Sequence, residues 1–184
     1  FNIKSANCEP KSYEQPYPNI VSAAYSEEGR RFAIKNCDTI FTMFDNLEKT
    51  KKINSELINK AKKKNKKIKI FTPIHIIARN TASEANEFHE EYSQLKIDDV
   101  ATKNFIKNVA KAGKNPLYKI MLSKKNLIAS SCGSKIIKGS FGDVSEQLRE
   151  VRKANFNGAA FSFVNYLEEV KNFHKHVLKK KVLD

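Results

Sequence analysis

Apolar residues recur along the chain in two rhythms: short continuous runs, and longer stretches spaced by three and four. The runs read as buried strands and the stretches as amphipathic helices. "NIVSAA", residues 19–24, is the first run. Ser26 after it fits a helix N-cap, with Glu27 and Glu28 in the first turn, where carboxylates suit the positive end of the helix dipole. A helix through "GRRFAIKN" follows, then "DTIFTM" as a second strand. Leu47, Thr50, Ile53, Leu57, Ile58 and Ala61 form one stripe of a helix whose lysines lie mostly elsewhere. "IKIFTPIHIIA", residues 68–78, is the strongest strand signal, and Pro73 predicts a bend or irregular point within it.

The second half continues the alternation. "TASEA" opens a helix with a capping box from Thr81 to Glu84, and Ala85, Phe88, Tyr92 and Leu95 line one face. The spacing predicts a further helix from Ile97 to Ala112, with Val100, Phe105 and Val109 inward and Gly113 as its stop. Residues 114–138 carry mixed signals and read as a loop-rich insertion with partial helix. Ser140 caps the next helix with Asp143 three residues on, and its stripe is Val144, Leu148 and Val151. "GAAFSFV" is a final buried strand, followed by an amphipathic helix through Leu167, Val170, Phe173 and Val177. Pro10, Pro16 and Pro18 make residues 1–18 an extended, irregular lead-in.

Strands alternating with helices imply βαβ units, a parallel sheet and right-handed crossovers. About four strands are expected over one domain spanning residues 1–184. A closed parallel barrel needs eight strands and typically about 250 residues. Half of a (β/α)8 barrel is therefore the economical α/β description, and an opening Phe1 in place of Met is what a fragment or processed product would show.

Composition narrows the function classes. Apolar residues make up 40% of the chain, enough for a real core. No run of about 18 apolar residues appears, so no membrane helix is expected. Lys and Arg number 34 against 20 Asp and Glu, a formal net charge of +14 that brings nucleic acid into consideration. The densest basic cluster, residues 60–70, has no interleaved aromatic on which bases would stack, so a solvated helix end is its ordinary reading. Cys8, Cys37 and Cys132 form no CxxC pair. Neither a disulfide framework nor a zinc site is favoured, and a reducing, cytoplasmic setting is the simplest reading.

Catalytic constellations are missing from the sequence pattern, and the catalytic residues stay unassigned. His174 and His176 stand two apart on a helix and share no face, so no metal is expected there. His75 lies inside an apolar strand and reads as a satisfied core histidine, and His89 beside Phe88 as a partly exposed one.

"PYPNIVSAAYSEEGRRFAIKNCD" resembles the fifth strand and following helix of the luciferase-like, flavin-dependent monooxygenases. Their pattern there is Pro, a few apolar residues, Ala-Gly-x-Ser, then Gly, Ala and Asp at fixed offsets, matched by Pro18, Ala23, Ser26, Gly29, Ala33 and Asp38. "IIARNTASEANEF" is similar to the seventh strand with its Thr-x-x-Glu-Ala helix start. Gly139 and Ser140, the "ANFNG" turn and "YLEEVKNF" resemble the closing segment, so the likeness covers nearly the whole chain in the family's order. Within the family the pyrimidine monooxygenases that open uracil rings look closest, then the sulfone and alkanesulfonate monooxygenases.

The resemblance implies the C-terminal half of a TIM barrel, about strands 5 to 8. It implies reduced FMN supplied by a separate flavin reductase, with O2 and a small pyrimidine-type or organosulfur substrate. A homo-oligomer is expected of the full-length protein, with no nucleic acid or membrane as partner. It carries Ser26 over as a contact to the flavin phosphate, with Tyr25 beside it as a second cofactor-binding candidate. Ala24 stands where the family has Gly, and Tyr25 fills its variable position. Most contacts to the isoalloxazine ring are expected from the first four strands, outside this sequence. A truncated, non-catalytic flavin-binding relative is the alternative.

Overall fold

The computed structural model describes residues 4–7, 9–13, 17–110 and 116–179. In chain order the elements are β1 (Val21–Ala23), α1 (Glu27–Asn36), β2 (Thr39–Phe41), α2 (Leu47–Lys62) and β3 (Lys69–Arg79). There follow α3 (Ala82–Glu90), extended by a π-helical turn over Glu91–Leu95, then α4 (Asp99–Val109), α5 (Pro116–Ser123) and α6 (Lys125–Ser131). β4 (Lys135–Ser140), α7 (Phe141–Lys153), β5 (Gly158–Ser162) and α8 (Tyr166–Phe173) complete the order, the last continued by a second π turn over His174–Leu178. Every strand pair is parallel, as the alternation requires.

β3 is the hub of the sheet. β1 pairs with β2 and β2 with the start of β3, while β4 and β5 also pair with β3. The register explains Pro73. Lys69 N–H donates to Asp38 O and Phe71 O accepts from Thr42 N–H, whereas Ile70 exchanges its backbone bonds with Asn157 before β5. Odd-numbered residues of β3 thus aim their backbone at the β2 edge. β2 leaves that edge after Phe71 and β4 joins β3 at Ile74, so the missing N–H of Pro73 falls in the gap between two partners. The expected irregularity is a change of neighbour, and β3 runs unbroken through it.

Two cores lie under the helices. Ala33, Ile34, Ile40, Leu57, Ala61 and Ile70 close α1 and α2 onto the first strands. Ile74, Ile76, Ile137, Val144, Leu148, Val151, Phe173 and Val177 close α7 and α8 onto the rest. The fully buried Asn54 of α2 donates from Nδ2 to Ala154 O at 2.8 Å, tying α2 to the end of α7.

Several expectations are corrected. Five strands stand where about four were expected, because β4 forms at the end of the 114–138 segment, whose described part is otherwise the helices α5 and α6. On α4 the inward residues are Thr102, Ile106 and Ala110, while Val100, Phe105 and Val109 face outward. Leu95 is exposed, as are Leu167 and Val170 at the start of α8. β5 is only partly covered. The Thr81 hydroxyl accepts from Glu84 N–H, but the Glu84 carboxylate reaches Asn80 N–H, so the expected box closes one residue early. Cys37 is buried and Cys132 exposed, while Cys8, Pro16 and the stop at Gly113 lie outside the described residues. Lysines 60, 62–64 and 67 are exposed around the end of α2.

Candidate functional site

All strands point one way, so their carboxyl ends define one rim, the end where parallel α/β sheets hold ligands. The even-numbered side chains of β3 enter the cores, which turns Phe71, Pro73 and His75 to the opposite, inner face. On β5, Ala159 and Phe161 enter the core, leaving Ala160 and Ser162 on that same inner face. Phe41 and Phe71 meet there edge to face, with centroids 6.0 Å apart. Gly158 makes room for them, since a Cβ at this position would stand 2.7 Å from the Phe71 ring.

At the rim end of β1, the buried Ala24 leads into Tyr25 and Ser26, both exposed. Ser26 is extended (φ −82°, ψ 159°) and its Oγ accepts from Gly29 N–H at 3.0 Å, capping α1. That bond uses a lone pair and leaves the hydroxyl proton to donate elsewhere. The N–H groups of Glu27 and Glu28 begin the helix without intrahelical acceptors. Glu27 and Glu28 themselves are exposed. Behind this junction Tyr25, Arg30, Thr42, Asp45 and Lys49 line a recess of about 260 Å³. Arg30 Nη2 donates to Thr42 Oγ1 at 3.4 Å, and its buried Nε has no acceptor among the described residues. Lys49 bonds Asp45 at 2.7 Å and holds that carboxyl below its ordinary pKa.

A second polar group sits further along the inner face. His75, 4% exposed, bonds through Nδ1 to Ser162 Oγ at 2.9 Å and through Nε2 to the Tyr92 hydroxyl at 3.0 Å. β-sheet register joins the first pair, since His75 and Ser162 are direct partners across β3 and β5. Burial depresses the His75 pKa, against the opposing pull of Glu169, and so favours the neutral ring. Burial and then Glu169 push the Tyr92 phenol up to about 12. Glu169 is held by Arg79 at 2.5 Å, and the Arg79 guanidinium lies 4.0 Å over the Phe88 ring. Lys138 Nζ donates to His89 Nδ1 at 3.1 Å, and burial followed by Lys138 lowers the His89 pKa.

His75 is thus the satisfied histidine expected from sequence, and His89 the partly exposed one. His176 stacks on Phe141 at 4.5 Å. Among the described residues no group of three His, Cys, Asp or Glu stands close enough to hold a metal ion. Tyr25 and Ser26 sit together at one junction. Sequence reasoning did not single out Arg30, Ser162, or the Arg79–Glu169 pair as site residues. Only strand register joins His75 to Ser162, 87 positions apart, and spacing carries no signal of it.

A parallel sheet flanked by helices, with a capped helix N-terminus at its carboxyl rim, defines a TIM-barrel-like α/β protein. The chain belongs to the luciferase-like monooxygenase family, which matches residues 1–157. It is 26% identical to an FMNH(2)-dependent dimethylsulfone monooxygenase of Pseudomonas putida, over 97% of this chain and 50% of that protein. Its fold resembles DmoA from Hyphomicrobium sulfonivorans (TM-score 0.72, 17% identity, 94% of this chain and 42% of that one). It also resembles the EDTA monooxygenase EmoA from Chelativorans sp. BNC1 (TM-score 0.68, 14% identity, 93% and 44%). The chain therefore spans about half the length of the curated relative it matches.

Proposed function

We propose that this chain is the C-terminal half, about strands 5 to 8, of an FMN-dependent luciferase-like monooxygenase. The complete protein uses reduced flavin and O2 to oxygenate a small organic substrate of organosulfur or pyrimidine type. A separate flavin reductase supplies the reduced cofactor, and the full-length protein is a homo-oligomer. Family membership supports the reaction class, and the P. putida relative supports the cofactor and the organosulfur substrate.

The observation that carries the cofactor reading is the β1–α1 junction. Its exposed Ser26 hydroxyl has a proton to donate, and two N–H groups without intrahelical acceptors open the helix beside it. That donor set fits a phosphate, which a helix N-terminus favours electrostatically. Ser26 and the adjoining backbone N–H groups would hold the phosphate, with Tyr25 alongside. The flavin supplies the oxygen-activating chemistry when bound. This chain binds and orients it and walls one side of the chamber with Phe41, Phe71 and Ala160.

Titration of the full-length protein with reduced FMN tests the reading. Ser26→Ala should weaken binding about ten-fold, the scale of one charge-assisted hydrogen bond. Ser26→Asp keeps an N-cap oxygen but adds a negative charge, and should weaken binding further. Unchanged affinity in both variants removes Ser26 from the site. Flavin binding without O2-dependent turnover in the parent protein leaves the non-catalytic flavin-binding alternative.

A further inference from the structure

We propose that Ser162 is a ligand-contacting hydrogen-bond donor on the inner face of the sheet, held in that role by a directed chain from Tyr92 through His75. The proposal rests on the reading above only in taking this face as the reaction chamber. Its chemical partner is an oxygen acceptor of the bound ligand, a carbonyl or sulfonyl oxygen.

The direction of the chain follows from counting protons. A neutral imidazole carries one N–H, so His75 donates on one side and accepts on the other. In one polarity Ser162 donates to Nδ1, Nε2–H donates to Tyr92, and the phenol proton is left over. Tyr92 is half-buried, and among the described residues its hydroxyl bonds His75 Nε2. Glu169 accepts from Arg79 at Oε1 and from Asn165 N–H at Oε2, and among the described residues no hydrogen bond joins it to the Tyr92 hydroxyl. That polarity leaves the proton of a half-buried phenol without an acceptor among the described residues, whereas pairing it is the favoured arrangement in folded proteins. In the other polarity Tyr92 donates to Nε2, Nδ1–H donates to Ser162, and the only proton left over belongs to Ser162. Ser162 is exposed on the inner face and can spend it on a ligand.

The phenol is well placed to impose this order. Its ring is gripped by Phe88 (centroids 5.4 Å) and His89 (5.6 Å), so its hydroxyl is aimed by the helical turn that carries it. Ser162 lies at the carboxyl end of β5, where a barrel strand meets ligand. A donor fixed in advance costs no reorganisation when the acceptor gains charge. Ser162 is therefore the contacting residue, and His75 and Tyr92 are positioning residues.

Two measurements on the full-length protein test the chain. In ¹⁵N-histidine spectra, with His75 assigned by its loss in His75→Gln, the Nδ1–H tautomer is expected, and a dominant Nε2–H tautomer overturns the proposal. This readout needs no flavin, so it decides the relay even if the parent protein shows no flavin-dependent turnover, an outcome that would sink the proposed function alone. In steady-state kinetics Ser162→Ala should lower kcat/KM about ten-fold. Ser162→Thr should restore it. Tyr92→Phe should match the loss, because the freed imidazole can flip its tautomer and take the Ser162 proton. The double variant should be no worse than the poorer single, and additive losses overturn the coupling. A rise in substrate KM places the acceptor on the substrate, and weakened reduced-FMN affinity places it on the flavin. No change in either after Ser162→Ala removes Ser162 from the ligand.

Discussion

Ser26 and Ser140 both cap helices at the end of a parallel strand, yet their hydroxyls differ in freedom. Ser140 Oγ accepts from Asp143 N–H at 3.2 Å and also donates to Asp143 Oδ2 at 2.8 Å, so its proton is spent inside the capping box. The equivalent third position of α1 is Gly29, which offers no carboxylate, and the Ser26 proton stays available at the rim. One residue type in one local motif thus serves two purposes, set by what stands three positions later. The box at Ser140 depends on Gly139, whose φ of +147° suits only glycine and where a Cβ would fall 2.7 Å from the Asp143 Cβ. Gly139→Ala should cost about 1–3 kcal/mol of folding free energy in urea titration of the full-length protein, through backbone strain and a displaced Asp143. A loss below about 0.5 kcal/mol, the scale of ordinary surface changes, would show that the turn relaxes freely.

Where one periodicity and one face coincide, the elements were legible in the sequence. α2 and α7 each carry one dominant stripe, and the Ser140 cap of α7 uses a side chain that competes for the first N–H groups. α4 was legible as a helix but not in its orientation. It carries two stripes, the bulkier Val100, Phe105 and Val109 and the slimmer Thr102, Ile106 and Ala110, and the slimmer one turns inward. Hydrophobicity ranks the two faces wrongly because the fit against neighbouring helices decides, and that fit is a tertiary property. β4 was hidden for a related reason: a short strand forms where β2 has vacated the edge of β3, a condition no local window contains. The orientation of α4 is open to test by paired truncation. Ile106→Ala should destabilise by about 2–4 kcal/mol and Val100→Ala by less than about 0.5 kcal/mol, since only the first is enclosed. The reverse order would return the helix to the orientation that its bulkier residues favour.

At the scale of the whole molecule, the sheet has three outer edges that no described strand covers. The outer edges of β1, β4 and β5 are unpaired among the described residues. Parallel sheets are stable when both faces and both edges are enclosed, and closing into a barrel is the usual way to remove the edges. Large apolar side chains accompany the β1 and β5 edges: Val21 and Phe32 on β1 and α1, Tyr166 and Leu167 on α8 after β5, each more than half exposed. The candidate site follows the same geometry, with Ser26 at the β1 end and Ser162 on β5, so a ligand between them would face a chamber walled on one side only. Residues 1–184 expressed alone should therefore self-associate at micromolar concentration in sedimentation velocity, through these edges, despite a net charge of +14 that opposes contact between copies. Raising the salt should strengthen the association by screening that repulsion. A monomer that unfolds in one cooperative thermal transition would mean that the five strands close their own edges, and the half-barrel reading would fall with it.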